Sequence, residues 1–513
     1  MPQQRRLLIS AASNWLAFAA TLLVAFFLAP YLIHKLGDAR YGVWIFVESI
    51  LAYFTLFDLG IAACVVRFTA RFHAADDRAE LNKLASSCLA VFAGLGSIAF
   101  ILGFALTPVI APMLHKSGMD EAEIAGFTLL MLGNLAISLP LSLFPSILDG
   151  LERFGSKSAV RVVFLAARTI ATVMLMERQP SLIGIGILYT IGNVAEQLVM
   201  AILCFVYIPG LRFARRLVNR ATLKLVTGYS VNAFLAMVAG RISVQSGAII
   251  IGIFLSAPEI TWFGIALRLV EFAKALLRSA TLTLTPAISS LEASGDHAAI
   301  KNVLLNGTRW VLYLILPIHI GLIVFGRPFI RIWMGSPEYA ERCYPALVIL
   351  SATLSLVMAQ SVAARILYGV GKLRLFALAT LGEAVVNLGL SLLLVRSLGI
   401  VGIAWAAAIP NLVVCIFVIG YTCRQVELSL RSYLSEGWTR PVLAAIAPMC
   451  IWLGGWTIHG WFDLGLAILS GLIPYAALVI VGEGATLRAR KRMAARLASS
   501  ESAPAVPAAA NRG

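Results

Sequence analysis

The chain is built around uninterrupted apolar runs of about 20 residues, the length an α-helix needs to cross roughly 30 Å of hydrocarbon. They recur from the first residues almost to the last. Their limits give about fourteen spans: 11–34, 42–66, 85–113, 124–147, 160–177, 182–208, 227–254, 260–285, 309–334, 343–368, 375–396, 400–422, 441–458 and 464–483. The predicted fold class is therefore an all-α integral membrane protein. With 60% apolar and 13% charged residues, a soluble globular chain is excluded.

The formal net charge of +16 does not point to nucleic acid. The bases sit in short loops between spans, as cytoplasmic loops facing anionic lipid do, and no basic soluble domain interleaved with aromatics is present. Arg67, Arg71, Arg78 and Lys83 follow span two, and Arg153 and Lys157 follow span four. Arg212, Arg215, Arg216, Arg220 and Lys224 follow span six, and Arg424, Arg431 and Arg440 follow span twelve. The tail carries Arg488, Arg490, Lys491, Arg492 and Arg496. The opposite loops are poorer in bases, with Arg327, Arg331 and Arg342 as the main exceptions. This asymmetry predicts a multi-pass protein with both termini in the cytoplasm. Arg5 and Arg6 before an apolar run mimic a signal peptide, but the run is too long for one and reads as a retained first helix.

One stretch, Gly240 to Pro286, breaks the apolar rule. Arg241 falls midway along span seven, and Arg268, Glu271, Lys274 and Arg278 stud span eight. Ionisable groups at bilayer depth cost at least a few kcal/mol each and normally face a bundle interior or a wet cavity. The four residues of span eight advance by three, three and four positions, which confines them to an arc of about 120°. Pro286 is expected to bend the inner end of that span.

Sliding the chain by about 220 residues exposes an internal repeat. Asn14 falls near Asn232, Tyr41-Gly42 near Phe263-Gly264, and Pro108-Val109-Ile110 over Pro328-Phe329-Ile330. Ile147-Leu148-Asp149-Gly150 lies over Ile366-Leu367-Tyr368-Gly369. A six-span shift preserves topology, so the repeat is parallel about an axis along the membrane normal. It predicts two pseudo-symmetric six-helix bundles, residues 1–210 and 227–423, joined by a basic cytoplasmic linker over 211–226. A C-terminal helix pair over 424–483 and a basic, then disordered, cytoplasmic tail over 484–513 complete the chain.

Leu36-Gly37, Tyr41-Gly42-Val43-Trp44 and Asp58-Leu59-Gly60-Ile61 leading to Arg67 resemble the N-terminal signature of bacterial polysaccharide repeat-unit flippases. These form a family of the multidrug/oligosaccharidyl-lipid/polysaccharide exporter superfamily. Leu148 to Phe154 after span four and Ile332-Trp333-Met334-Gly335 at the end of span nine are similar pieces. The resemblance implies two bundles that open alternately to each side of the bacterial cytoplasmic (inner) membrane. Their cargo would be an undecaprenyl-diphosphate-linked oligosaccharide, moved outward for surface polysaccharide, lipopolysaccharide or exopolysaccharide biosynthesis. The implied partners are this lipid-linked oligosaccharide, membrane lipids and a polysaccharide polymerase or export complex. No nucleic acid is among them.

A diphosphate crossing the bilayer needs a cationic, hydrated cleft, for which Arg has the better geometry. Arg241, Arg268, Lys274 and Arg278 are the candidate substrate-binding residues. The alternative for span eight is an ion ladder in which Glu271 pairs with Arg268 or Lys274 and holds the bundle together. Arg241 has a similar structural alternative, as partner of Glu271 or of a backbone carbonyl. The repeat places Glu48 near Arg268 and Asp58 near Arg278, and the resemblance implies that spans one, two, seven and eight face one another. Glu48, Glu271 and Asp58 are accordingly the candidates for coupling transport to H⁺ or Na⁺, although Asp58 also suits the shaping of a helix end. Glu196 and Glu383 read as caps of buried polar clusters with Asn193 and Asn387.

No catalytic residue is assigned and no cofactor is expected. The six histidines and seven scattered cysteines form no metal-spacing motif, and no phosphate-cradling G-x-x-x-x-G-K-[ST] is present to hydrolyse ATP. A cation-coupled multidrug exporter of the same superfamily is one alternative and would favour carboxylates in its cleft. A membrane glycosyltransferase or polymerase is another, and it would require a larger outer loop than the roughly 15 residues available here.

Overall fold

The computed structural model describes residues 2–58, 60–115, 118–219, 231–281 and 284–501. Within these, the side chains of 2–15, 57, 115, 231–236, 279–280 and 485–501 lie outside the description. The Asn14–Asn232 correspondence, part of the basic linker including Lys224, the Arg488–Arg496 run and the end of the tail therefore lie outside the described residues.

The regular structure described is helical throughout, as an all-α membrane protein requires. The first eight helices are α1 (Pro2–Leu36), α2 (Asp38–Phe54), α3 (Ile61–Ala74), α4 (Arg78–His115), α5 (Glu121–Leu141), α6 (Leu143–Gly150), α7 (Phe154–Arg178) and α8 (Leu182–Tyr207). After the linker come α9 (Val231–Phe254), α10 (Ala257–Thr281), α11 (Leu284–Ala293), α12 (His297–Met334), α13 (Pro337–Val357), α14 (Gln360–Gly369) and α15 (Leu373–Gln425). A short π-helical turn, Tyr433–Trp438, leads into α16 (Thr439–Trp452), and α17 (Trp461–Glu501) ends the described chain.

Ten helices among the described residues are long and apolar enough to cross a membrane. The expected span 42–66 is not one rod. A 3₁₀ turn over Thr55–Asp58 and Gly60, in the left-handed region at φ 79°, separate α2 from an amphipathic α3. That helix buries Ile61, Cys64, Val65 and Thr69 while Arg67 and Arg71 stay exposed. Span 260–285 is helical on both sides of residues 282–283, which lie outside the description, as α10 and as α11, whose third residue is Pro286. Spans 375–396 and 400–422 are the two segments of α15. They meet at Gly399, whose φ of 58° and ψ of −138° suit only glycine, and Gly402 then lies against the backbone of Leu394.

The same packing pairs appear on both sides of the linker. α3 packs on α6 as α11 packs on α14, α4 on α5 as α12 on α13, and α1 on α7 as α9 on α15. The bases that ran against the loop asymmetry have local partners. Arg327 pairs with Glu341 at 3.3 Å, Arg331 donates to the Ile458 carbonyl, and the Arg342 guanidinium lies 4.9 Å from the Trp262 ring centroid.

α16 and α17 pack on each other and on α12. A buried polar knot fixes them. Arg309 of α12 donates to the Glu436 carbonyl at 2.7 and 3.1 Å, and the Glu483 carboxylate gathers Arg309 (3.5 Å), Arg440 (3.7 Å) and the Tyr313 hydroxyl (3.1 Å). Buried charges persist only when paired and hydrogen-bonded in this way.

Candidate functional site

The two sides of the linker meet where α2 lies against α10 and α9. Small residues permit the close approach. Gly42 of α2 faces the Ala257 carbonyl of α10, with no room for a Cβ between them, and Gly252 and Gly264 admit the side chains of Phe46 and Ile45.

Polar bonds lock this end. Asp38, the first residue of α2, receives the Trp262 indole at 3.2 Å and the Tyr339 hydroxyl on its carboxylate, and the Thr261 hydroxyl at 2.7 Å on its carbonyl. The Trp333 indole donates to the Phe26 carbonyl at 3.0 Å, and the two rings stack with centroids 5.2 Å apart. Every one of these contacts joins a residue before the linker to one after it. None has a local sequence signal, because each pairs residues more than 220 positions apart.

Next to the locked end lies a cavity of about 480 Å³. Its polar walls come from Glu48 and Ser49 of α2, Thr55 of the 3₁₀ turn, Gln245 of α9, and Arg268 and Glu271 of α10. The Arg268 guanidinium donates to the Tyr41 hydroxyl at 2.7 Å and lies within electrostatic range of Glu48. The expectation that α2 and α10 oppose their charges across an interface matches this geometry. Tyr41 is the partner that sequence reasoning missed, since a tyrosine at the start of a span reads as a membrane-interface residue.

The other predicted residues divide. Lys274 forms an intrahelical pair with Glu271 at 2.7 Å, the ladder alternative for this helix. It also lies within electrostatic range of Glu383, whose carboxylate accepts from the Ser243 hydroxyl. Arg241 stands one turn before Gln245, and Arg278 two turns beyond Glu271 and exposed, so both continue the faces that line the cavity without lining it themselves. Among the described residues neither has an ion-pair partner.

Asp58 accepts the Ala62 amide at 3.1 Å and so caps the start of α3. Asp58→Ala is expected to lower stability by about 1 kcal/mol, the usual worth of such a cap, and to leave transport within a few-fold of wild type. Thermal melting beside a transport assay would read both numbers.

The buried clusters are partly as expected. Asn193 donates to Asn134 (3.0 Å) and Ser138 (2.9 Å), and Asn387 reaches the Ser243 carbonyl (3.4 Å). Glu196, however, pairs with Arg168 at 2.8 Å and not with Asn193. The apparently isolated Arg168 of span five is thereby neutralised from the neighbouring helix.

Comparison with known proteins follows from this geometry. The family model of the lipid II flippase MurJ matches residues 59–468. Over 276 residues the chain is 25% identical to the probable low-salt glycan biosynthesis flippase Agl15 of Haloferax volcanii. That match covers 53% of this chain and 56% of the relative, so the chain spans about half the length of the curated relative it matches. The structure of a lipid II flippase MurJ in an inward closed conformation superposes with a TM-score of 0.74 at 15% identity, covering 94% of this chain and 100% of that one. An inward-facing multidrug resistance MATE family transporter of the MOP superfamily gives 0.67 at 14% identity, covering 79% and 94%.

Identities this low speak for the fold alone. The matching family model is a different one from the repeat-unit flippases of the resemblance, and with a flippase family matched over most of the chain the glycosyltransferase alternative falls away. The chain belongs to the lipid II flippase MurJ family, a family of membrane transporters and not of enzymes.

Proposed function

We propose that the protein carries undecaprenyl-diphosphate-linked oligosaccharide repeat units from the cytoplasmic to the outer leaflet of a bacterial inner membrane, for surface polysaccharide or exopolysaccharide biosynthesis. The observation behind this reading is the cavity between α2, α5, α9 and α10, whose lining carries the charges of Glu48, Arg268 and Glu271. The chain would cross the membrane fourteen times, as two six-helix halves over 1–210 and 227–423 and a helix pair over 424–483. The recurring packing pairs support that division.

With both termini in the cytoplasm, the Asp38 end faces outward. The locked contacts there describe a conformation closed to the outside, the state in which a lipid-linked substrate loads from the cytoplasm. Arg241 and Arg278 lie on the cytoplasmic side of the cavity in this orientation. Their guanidinium forks match a diphosphate, and Arg268 stands deeper, where the glycan arrives. Lys274, neutralised by Glu271, is a weaker diphosphate ligand. Glu48 and Glu271 are the coupling groups for H⁺ or Na⁺ in this scheme, and a polymerase or export complex would receive the product.

The family name supplies a second candidate cargo, lipid II. Reconstitution into proteoliposomes separates the two, with a lipid-linked repeat unit and lipid II scored side by side for movement across the bilayer. The double variant Arg241→Ala/Arg278→Ala is expected to slow movement of the cargo about tenfold or more, the scale of a single lost hydrogen bond to a charged group. Wild-type rates from a normally folded double variant would remove the arginines from the mechanism. Movement of lipid II alone would reassign the cargo. Efflux of a cationic dye without movement of either lipid would favour the multidrug exporter.

A further inference from the structure

A second cavity, of about 310 Å³, continues from the first along the same face of α2, toward Tyr41. It is enclosed by Thr21 to Leu32 of α1, Tyr41, Trp44, Ile45 and Glu48 of α2, Leu165 of α7 and Tyr189 of α8, with Arg268 of α10 reaching in. Its volume falls in the roughly 300–1,000 Å³ range of small-molecule sites. Ile45, Glu48 and Arg268 border both cavities, so the two adjoin at this pair of charges.

The walls are of two kinds. Aromatic rings form one: Trp44 meets Tyr189 edge-on at 5.1 Å and Tyr41 at 6.0 Å. Arg168 stands 5.4 Å from the Tyr189 centroid and fixes that ring, while its own charge is satisfied by Glu196 at 2.8 Å. The other wall is polar, with the Glu48 carboxylate open to the cavity and the Arg268 guanidinium held by the Tyr41 hydroxyl at 2.7 Å.

The charges select the guest. One guanidinium beside one carboxylate leaves the cavity without the excess positive charge that a diphosphate needs. An isoprenoid chain would strip water from both ions and offer no hydrogen bond in return. A sugar ring suits both walls, because its C–H faces can lie on aromatic rings while its hydroxyls donate to a carboxylate and accept from a guanidinium. We propose that this cavity, formed by Tyr41, Trp44, Glu48, Tyr189 and Arg268, is a saccharide subsite that takes one neutral sugar of the cargo's glycan. The inference rests on the flippase reading and adds to it a place where the glycan, and not the lipid diphosphate, is sensed.

The test compares binding of two probes to the full-length protein in nanodiscs by native mass spectrometry: undecaprenyl diphosphate, and the same lipid bearing a neutral disaccharide. Wild type is expected to prefer the glycosylated lipid by about tenfold, the scale of hydrogen bonds to charged groups. Tyr189→Ala, which removes a wall, and Ala25→Phe, which fills the cavity from α1 without deleting a side chain, are each expected to reduce that preference to within twofold. Binding of the bare lipid should stay unchanged. Tyr189→Phe keeps the ring and should retain most of the preference.

Equal binding of both lipids by wild type overturns the subsite and leaves the flippase reading standing. So does a preference that survives both Tyr189→Ala and Ala25→Phe. A parallel loss of bare-lipid binding in these variants would assign the cavity to the isoprenoid chain and overturn the proposal as well. Binding of neither lipid would defeat the flippase reading itself, and the subsite with it.

Discussion

Gly42→Ala is expected to open the locked end of the protein, although it adds a single methyl group. A Cβ at this position overlaps the backbone carbonyl of Ala257, and a backbone carbonyl in a helix cannot turn aside as a side chain can. α2 must therefore move away from α10, and the bonds that Thr261, Trp262 and Tyr339 make to Asp38 lengthen with it. Overpacking of this kind costs about 1–3 kcal/mol, more where backbone must shift. The cost falls on the closed conformation, so the population should move toward one open at this end. About 1.4 kcal/mol is already a tenfold change in that equilibrium.

A cysteine at Ser49, on the cavity wall, would report it. Its labelling by a membrane-impermeant maleimide from the outer side should rise about tenfold or more. The background needs only Cys450 removed, because the other six cysteines are buried. Gly240→Ala is the control, since a Cβ there meets nothing within 4 Å, and it should be neutral or slightly stabilising. Unchanged labelling in Gly42→Ala would show that the Gly42–Ala257 contact does not hold the closed state together.

Arg268→Ala is expected to reduce transport about 100-fold. The side chain makes a charged hydrogen bond to Tyr41 across the interface and supplies the positive charge nearest Glu48 in both cavities. Loss of a hydrogen bond to a charged group costs about 1.5–3 kcal/mol, which spans about tenfold to about 150-fold in rate if it falls on the transport step. Arg268→Lys keeps the charge but not the planar fork, and an intermediate loss is expected. Pairing it with Glu48→Gln tests the mechanism, because removal of the acid relieves the uncompensated charge. The double variant should recover part of the lost rate, measured in proteoliposomes at equal amounts of folded protein. Wild-type transport by Arg268→Ala would show that neither the bridge to Tyr41 nor the cavity charge matters to the cycle.

How far the sequence led can be judged from particular residues. Run lengths placed helices at every expected span, because a bilayer fixes helix length and composition without reference to neighbours. They did not separate α2 from α3. An apolar run has the same composition whether it is one rod or two short helices, so Asp58-Leu59-Gly60 read as shaping the end of a span and not as a break within it. The repeat set Glu48 beside Arg268 in the alignment, and the two line the same cavities. It gave no warning that Arg268 would bond Tyr41, that Lys274 would fold back on Glu271, or that Glu196 would take Arg168 as its partner.

The amino-acid sequence by itself determined that this chain lives in a membrane, that it is helical, and that a handful of ionisable side chains would have to find polar company inside it. All three follow from one local quantity, the free energy of moving a side chain or a peptide group from water into hydrocarbon, which depends on residue type and run length. Which charges meet was decided only by the tertiary structure. Coulomb energy and hydrogen bonding fall off within a few ångströms, and the decisive distances here join residues far apart in sequence, 227 positions for Arg268 and Tyr41 and 301 for Tyr339 and Asp38. The packing that brings α2 onto α10 set those distances, and a single glycine facing a carbonyl permits that packing.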